Sequence, residues 1–594
     1  MTLRTLAVLG LVALPLAACA TVPEAAPPPV TAVTPEATPA ERLRDLFARS
    51  DAAFLDRNPS TSFSRGDYSR ADRITNRAAP DYYAVERHAA EVALAELATI
   101  DRAALGPVDQ IAYDVFAYDK RRWLAGTEAE VAKFRHALVI DHRSGEHITY
   151  PRLASAGGQM PFATVADYEN ALKRHAAFAR VLDDSIARLR EGMAAGVVHP
   201  RVSTEIMIAQ LDTQLKMRVE EMPYWTPVAA FPDAIGAADR ARLTLAFRRA
   251  IETDIRPALQ RLRTFLAEEY LPRSRDSVGL GGAPGGDAYY RYRVAEMTTL
   301  PLTPDEIHAT GLAEVDRIEQ ALAAARAEAG DRKPVVYKDK ASLTQAWYAL
   351  QKRVDPLLPR LFATIPKTPL EIRPYEEYRE AFNLAASYNS GDVNTGKPGI
   401  FYFSGYNLEN REVSPTVSLY MHEGSPGHHF QNMTAAENRD LPDFLRFGGF
   451  TAYGEGWGLY AESLGYELGL YDDPVERIGA LAGGELLRAV RLVVDTGLHA
   501  KGWSRQQAID YMVAHGQPRD LATSETDRYI VMPGQALAYK VGELRIKAMR
   551  ARAEAALGPR FDVRRFHSQV LETADLPLAV LEAKIDAWIA AGGP

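Results

Sequence analysis

The segment His422-Glu423-Gly424-Ser425-Pro426-Gly427-His428-His429 gathers three histidines and a glutamate into eight positions. Imidazole nitrogens and carboxylate oxygens are zinc ligands, and a carboxylate beside them can serve as a general base. On a regular helix, His-Glu-x-x-His sets two imidazoles one turn apart on one face. Here the second histidine follows six or seven positions after His422, as His428 or His429. A straight helix would carry it about 9 Å along the axis, whereas two nitrogens on one tetrahedral zinc lie only about 3.3 Å apart. Pro426 lacks the N–H that would bond the His422 carbonyl, and its ring clashes there. Gly427 accepts almost any backbone angle. The residues that lengthen the spacing thus also supply a deformation between Gly424 and Gly427 that can bring the imidazoles together. This predicts a helix regular up to Glu423, bulged over 424–427, with His422 and His428 on the metal. His429 is the alternative second ligand.

Four later segments belong with this one: Gly454-Glu455-Gly456-Trp457-Gly458-Leu459-Tyr460-Ala461-Glu462, Arg491 through His499, Arg528-Tyr529-Ile530, and Pro533 through Lys540. Together with His-Glu-Gly-Ser-Pro-Gly-His-His-Phe-Gln they resemble the signature of a large bacterial domain-of-unknown-function family, placed among the glutamate-zincin metallopeptidases. The likeness covers most of the chain after residue 40 and is strongest from about Gly399. The resemblance implies a largely helical, zincin-like body with a deep substrate cleft, similar to thimet oligopeptidase, neurolysin and angiotensin-converting enzyme. It implies Zn2+ as cofactor and hydrolysis of peptide bonds in short peptides, in an oligopeptidase or carboxypeptidase-like manner. It specifies the reaction more firmly than the substrate.

The resemblance also implies a third ligand from a glutamate on a later helix. Glu455 and Glu462 are seven apart, so they share a helix face about two turns distant and cannot both bind one metal. Glu455 is the expected ligand, because Gly454 and Gly456 let another backbone approach; Glu462 then orients a ligand imidazole. Glu423 is the expected base, drawing a proton from a metal-activated water and passing it to the leaving amine. Tyr529 and Tyr539 are candidate donors to the oxyanion, in the region where related zincins carry such tyrosines. Arg491, Asp495 and His499 recur every four residues, either as i,i+4 partners or as a polar wall with Asp495 or His499 acting behind the ligands. Arg528 or Lys540 is a candidate for a substrate carboxylate.

These residues need a helical frame, and the chain is patterned for one. Apolar positions recur at helical spacing from Tyr168 to Leu189, from Val85 to Leu97, and from Leu578 to Trp588. Thr164 with Asp167, and Thr303 with Glu306, have the form of helix caps; Pro304 and Gly330 bound a helix through about Ala329. Gly192 and Gly196 end the helix that begins near Tyr168. The best strand signal is Ile400 to Phe403, bounded by Gly399 and Gly405 and placed to add an extended peptide as a further strand. The fold class is therefore mainly α, with a few short strands near the metal site. The glycine-rich stretch Val278 to Asp287 lacks the lysine of a phosphate loop and reads as a connection between an N-terminal helical half, 41–300, and a C-terminal half, 301–594, carrying the metal.

The sequence has a net charge of −8 and so no electrostatic footprint for nucleic acid. The single cysteine, Cys19, excludes an internal disulfide. It follows Arg4, a short apolar stretch and Leu16-Ala17-Ala18, which resembles a bacterial lipoprotein cleavage box. Residues 1–19 are thus expected as a lipoprotein signal peptide and 20–40, rich in Ala and Pro, as a linker. Lipid on Cys19 would tether the body to the cell envelope, at the outer membrane facing the periplasm. A non-catalytic peptide-binding lipoprotein and a zinc-dependent amidase or esterase are the competing readings. The oligomeric state is not written in the sequence.

Overall fold

The computed structural model describes residues 37–375, 380 and 386–594. The expected signal peptide, Cys19 and most of the linker lie outside the described residues. The chain is 67% helix and 3% strand, which is the mainly α class with one small sheet. The helices used below are α1 (Pro39–Arg57), α2 (Tyr82–Leu97), α3 (Pro107–Ala125), α4 (Val165–Ala194), α5 (Gly286–Thr298) and α6 (Pro304–Ala329), then α7 (Val417–Glu423), α8 (His428–Glu437), α9 (Thr451–Ser463), α10 (Leu487–Ala500), α11 (Arg519–Val531), α12 (Ala538–Leu557) and α13 (Leu578–Ala590). No helix among the described residues is long and apolar enough to cross a membrane.

Local signals set several of these boundaries. Thr303 and Glu306 close a reciprocal capping box on α6, with Pro304 at the first position and Gly330 after the last. Thr164 and Asp167 do the same for α4, which runs through Gly192 and stops at Ala194 before the left-handed Gly196. Helix α13 buries Leu578, Leu581, Ile585 and Trp588 as its spacing requires. Helix α2 departs from its pattern. Val85 and Val92 are 44% and 51% exposed, and the buried face carries Glu86, Ala90, Ala93 and Leu97. The charge at Glu86 explains the rotation: its carboxylate accepts from Arg57 Nε at 2.9 Å and Asn58 Nδ2 at 2.8 Å, so a carboxylate goes inward with its partners.

The strands are β1 (Leu370–Pro374), β2 (Ser387–Asn389) and β3 (Gly399–Phe403), in the order β1-β3-β2. β3 pairs parallel to β1 and antiparallel to β2. Both edges of β3 are therefore occupied, and the expected addition of a substrate strand to Ile400–Phe403 is corrected: no ladder groups remain there to receive one.

Pro39–Pro594 forms one compact unit. One apolar cluster lies wholly within Ile74–Tyr270, but the largest joins Leu43, Leu97 and Phe116 to Tyr420, Trp457 and Trp588. The glycine-rich stretch is packed rather than free. A Cβ on Gly279 would stand 1.7 Å from the Leu498 carbonyl oxygen, and the Leu280 N–H donates to His499 Nδ1.

Helices α9 and α12 cross closely enough to exclude side chains. A Cβ on Gly542 would meet the Ala452 carbonyl oxygen at 1.9 Å, and one on Gly456 would meet Gly542 Cα at 2.5 Å. The obstacles are backbone atoms, so relief requires the helices to separate. Gly542→Ala is expected to destabilise the fold by about 1–3 kcal/mol and to disturb any metal bound through Glu455, which rides on α9. Thermal unfolding beside metal content checks this; unchanged values for both would show that the crossing is looser than described.

Candidate metal centre

Helix α7 starts at Thr416, whose hydroxyl accepts from the Leu419 N–H, and stops at Glu423. Helix α8 begins afresh at His428. The expected bulge in a continuous helix is thus corrected to a full break over 424–427. The chain turns back so tightly that a Cβ on Gly427 would lie 2.0 Å from the His422 carbonyl oxygen, a space only glycine leaves open. From α9, Trp457 Nε1 donates to the Pro426 carbonyl at 2.8 Å and pins the turn.

This turn sets the His422 and His428 rings 4.7 Å apart, centroid to centroid, at 79° to one another. His428 Nε2 lies 3.3 Å and His422 Nε2 3.6 Å from Glu455 Oε2. His422, His428 and Glu455 each offer one ligand atom, all within 4.8 Å of one another. The nitrogen-to-oxygen separations are those of donors sharing one zinc with bonds of about 2.0–2.2 Å. The other nitrogen of His422, Nδ1, stands 2.9 Å from Glu462 Oε1. That bond puts the proton on Nδ1 and leaves Nε2 to a metal. Gly458 makes the approach possible, since a Cβ there would lie 2.7 Å from the His422 ring. Two turns of helix, about 10.5 Å of rise, separate the two glutamates, and the imidazole fills the gap between them.

The charges suit a cation. Burial opposes a proton on His422, but hydrogen bonds to Glu455 and Glu462 outweigh it and push the imidazole up to about 9. Burial likewise works against the Glu455 charge, yet the two imidazoles hold its carboxyl well below the ordinary range. Two imidazoles and a carboxylate match the donor set of a catalytic zinc, which leaves a further position open. His428 and Glu455 keep 18% and 21% of their side-chain surface exposed, so the centre meets solvent on that side.

The other residues singled out in the sequence separate into near and far. Glu423 is 8% exposed, and its carboxylate makes no hydrogen bond to a described residue. His429 points away: Nδ1 meets the Tyr388 hydroxyl and Nε2 the Thr368 carbonyl, and burial lowers its pKa to about 4. The Tyr539 ring lies nearly parallel to that of His422, with centroids 6.4 Å apart, and the Arg491 guanidinium covers it at 4.5 Å. Tyr529 stands behind. Its hydroxyl donates to Glu525 at 2.7 Å and accepts from Arg491 Nε, so its proton is committed.

His499 is fully buried, with both ring nitrogens engaged. Nδ1 accepts from the Leu280 N–H, Nε2 donates to the Tyr529 carbonyl, and burial lowers its pKa to about 4. Asp495 accepts from the Tyr290 hydroxyl and the Gly534 N–H, and burial raises it to about 7. Lys540 is fully buried against Glu543, and Arg528 is held by Glu525 and Gln535. Sequence reasoning missed Asp575, which accepts from Gln431 Nε2 at 2.7 Å one turn along α8 from His428. Its segment carries no motif, and only the fold brings it here.

A mainly helical protein with a partly buried cluster of two histidines and one glutamate suited to a metal ion is the class these features define. The chain belongs to the family described as "Bacterial protein of unknown function (DUF885)", whose model matches residues 59–585. Two solved structures described as putative lipoproteins are similar to it. The one from Colwellia psychrerythraea is 25% identical, covering 93% of this chain and 100% of that one, with a TM-score of 0.86. The one from Shewanella oneidensis, of unknown function, is 16% identical over 92% of this chain and 99% of that one, with a TM-score of 0.65. No curated protein matches the chain.

His428→Ala and Glu455→Ala are expected to lose the metal, and His429→Ala to keep it. Glu462→Ala should weaken affinity about 10–100-fold by freeing the His422 ring. Metal content across a graded chelator series gives the order. Zinc kept by His428→Ala and lost from His429→Ala would reverse the ligand assignment.

Proposed function

We propose that the protein is a zinc-dependent peptidase acting on short peptides, with Glu423 as general base. The observation that carries this reading is the convergence of His422, His428 and Glu455 beside a carboxylate that makes no hydrogen bond to a described residue. A zinc ion held by these three residues would polarise a water and the substrate carbonyl. Glu423 takes the proton of the attacking water as its oxygen bonds to the carbonyl carbon. It then delivers that proton to the amine as the C–N bond breaks. Tyr539, beside His422, donates to the oxygen that gains charge. Arg491 and Arg488 flank the Tyr539 ring at 4.5 and 5.8 Å and steady it. Glu462 holds the His422 ring in register. On this reading a substrate would reach the metal from the exposed side of His428 and Glu455.

The two similar structures described as lipoproteins agree with the Leu16-Ala17-Ala18-Cys19 box. We infer that Cys19 carries lipid and holds the enzyme at the cell envelope, on the outer membrane facing the periplasm.

Glu423→Gln removes the base and no ligand. It is expected to keep full zinc content and to lose about 10²–10⁴-fold in kcat on short peptides. Zinc analysis beside turnover decides; wild-type kcat in that variant ends the mechanism. Cys19→Ser should move the protein from membranes to the soluble fraction or leave it unprocessed. Identical membrane partition of variant and parent would remove the anchor.

A further inference from the structure

A cavity of about 280 Å³ lies between helices α1 to α3 and the segment 444–450 that leads into α9. Asp575 forms part of its wall. The walls carry charges of both signs, and each base there has an acid. Arg65 pairs with Asp51 at 2.7 Å and Arg57 with Glu86 at 2.9 Å. Asp119 takes both Arg122, at 2.8 Å, and Lys120, at 3.3 Å. Asp575 is the one carboxylate of the walls with no cationic side chain paired to it among the described residues.

The bonds Asp575 does receive come from neutral groups, the Gln431 amide and the Phe450 backbone N–H. Burial raises its carboxyl to about 6, against the two hydrogen bonds and the charge of the His428 imidazole, with which it forms no ion pair. A half-enclosed carboxylate of this kind is costly unless something positive joins it. Its position ties it to the metal centre. Gln431 follows His428 on α8, and Asp575 Oδ2 lies 3.8 Å from where a Cβ on Gly454 would stand, next to Glu455. The carboxylate therefore borders both ligand-bearing helices, α8 and α9. Phe54, Phe116 and Phe450 in the walls suit the apolar stem of a cationic group.

We propose that this cavity is a substrate subsite beside the metal and that Asp575 binds a positively charged group of the peptide, an ammonium or a guanidinium. The proposal rests on the peptidase reading and names the substrate class for the same centre. The cation has two sources, the α-amine of the peptide or a Lys or Arg side chain.

The test is calorimetric binding to the zinc-loaded full chain carrying Glu423→Gln, which holds peptides without cleaving them. The probes are trialanine, its N-acetyl derivative, and N-acetyl peptides differing only by lysine or norleucine. Loss of the positive charge is expected to weaken binding about tenfold or more, in the amine pair or in the lysine pair according to the source. Adding Asp575→Asn should erase that difference while leaving the neutral probes bound as before. Equal binding of charged and neutral probes overturns the subsite, with no need of the second variant, and so does a charge preference that survives Asp575→Asn. Binding of none of the probes overturns it as well. Failure of the peptidase reading looks different: the unsubstituted protein cleaves none of the peptides although the charge preference persists.

Discussion

The His422 ring, held between two carboxylates, is the constraint from which the centre follows. Glu462 grips Nδ1, and Glu455 faces Nε2 across the width of a metal ion. Both acids stand on α9, so the spacing between them is fixed by helix geometry and not by loop placement. The ring must enter that gap edge-on, and it does so because position 458 has no side chain. His428 is then brought in by a turn whose tip is bonded to Trp457 of the same helix. Helix α9 thus supplies a ligand, the orienting acid, the clearance and the pin.

That concentration explains why α9 is buried so thoroughly and crossed so closely by α12. The glycine contact at 456 and 542 puts the start of α12, with Tyr539, against the face that carries Glu455. Arg491 of α10 covers Tyr539, accepts support from Glu525 of α11, and leaves Tyr529 as a brace behind it. Residues that look catalytic in the sequence are in this way sorted by depth: one tyrosine reaches the imidazole, the other holds the arginine that holds the first.

Local chemistry was readable where the chain decides by itself. The caps at Thr164 and Thr303, the apolar stripe of α13 and the position of β3 all follow from neighbouring residues. Pro426 and Gly427 announced the interruption of the histidine helix, though not that it would be complete. What could not be read depends on partners far away in sequence. The buried face of α2 turns on Arg57 and Asn58, the role of His499 on the Leu280 N–H, and the importance of Asp575 on Gln431. Spacing on one helix shows which side chains stand together; it does not show what stands opposite them.

The break between α7 and α8 has a consequence for the metal itself. Where two histidines share one regular helix, the distance between their nitrogens is a property of the backbone and scarcely varies. Here the two imidazoles ride on separate rods joined by a four-residue turn, and packing against α9 sets their separation. A displacement of a few tenths of an ångström between the rods changes the bite of the site without breaking a helical hydrogen bond. A metal held by His422, His428 and Glu455 would meet donors whose spacing is set by packing between helices. That spacing leaves discrimination among divalent ions of similar size to donor softness and to availability in the compartment, more than to a rigid cage.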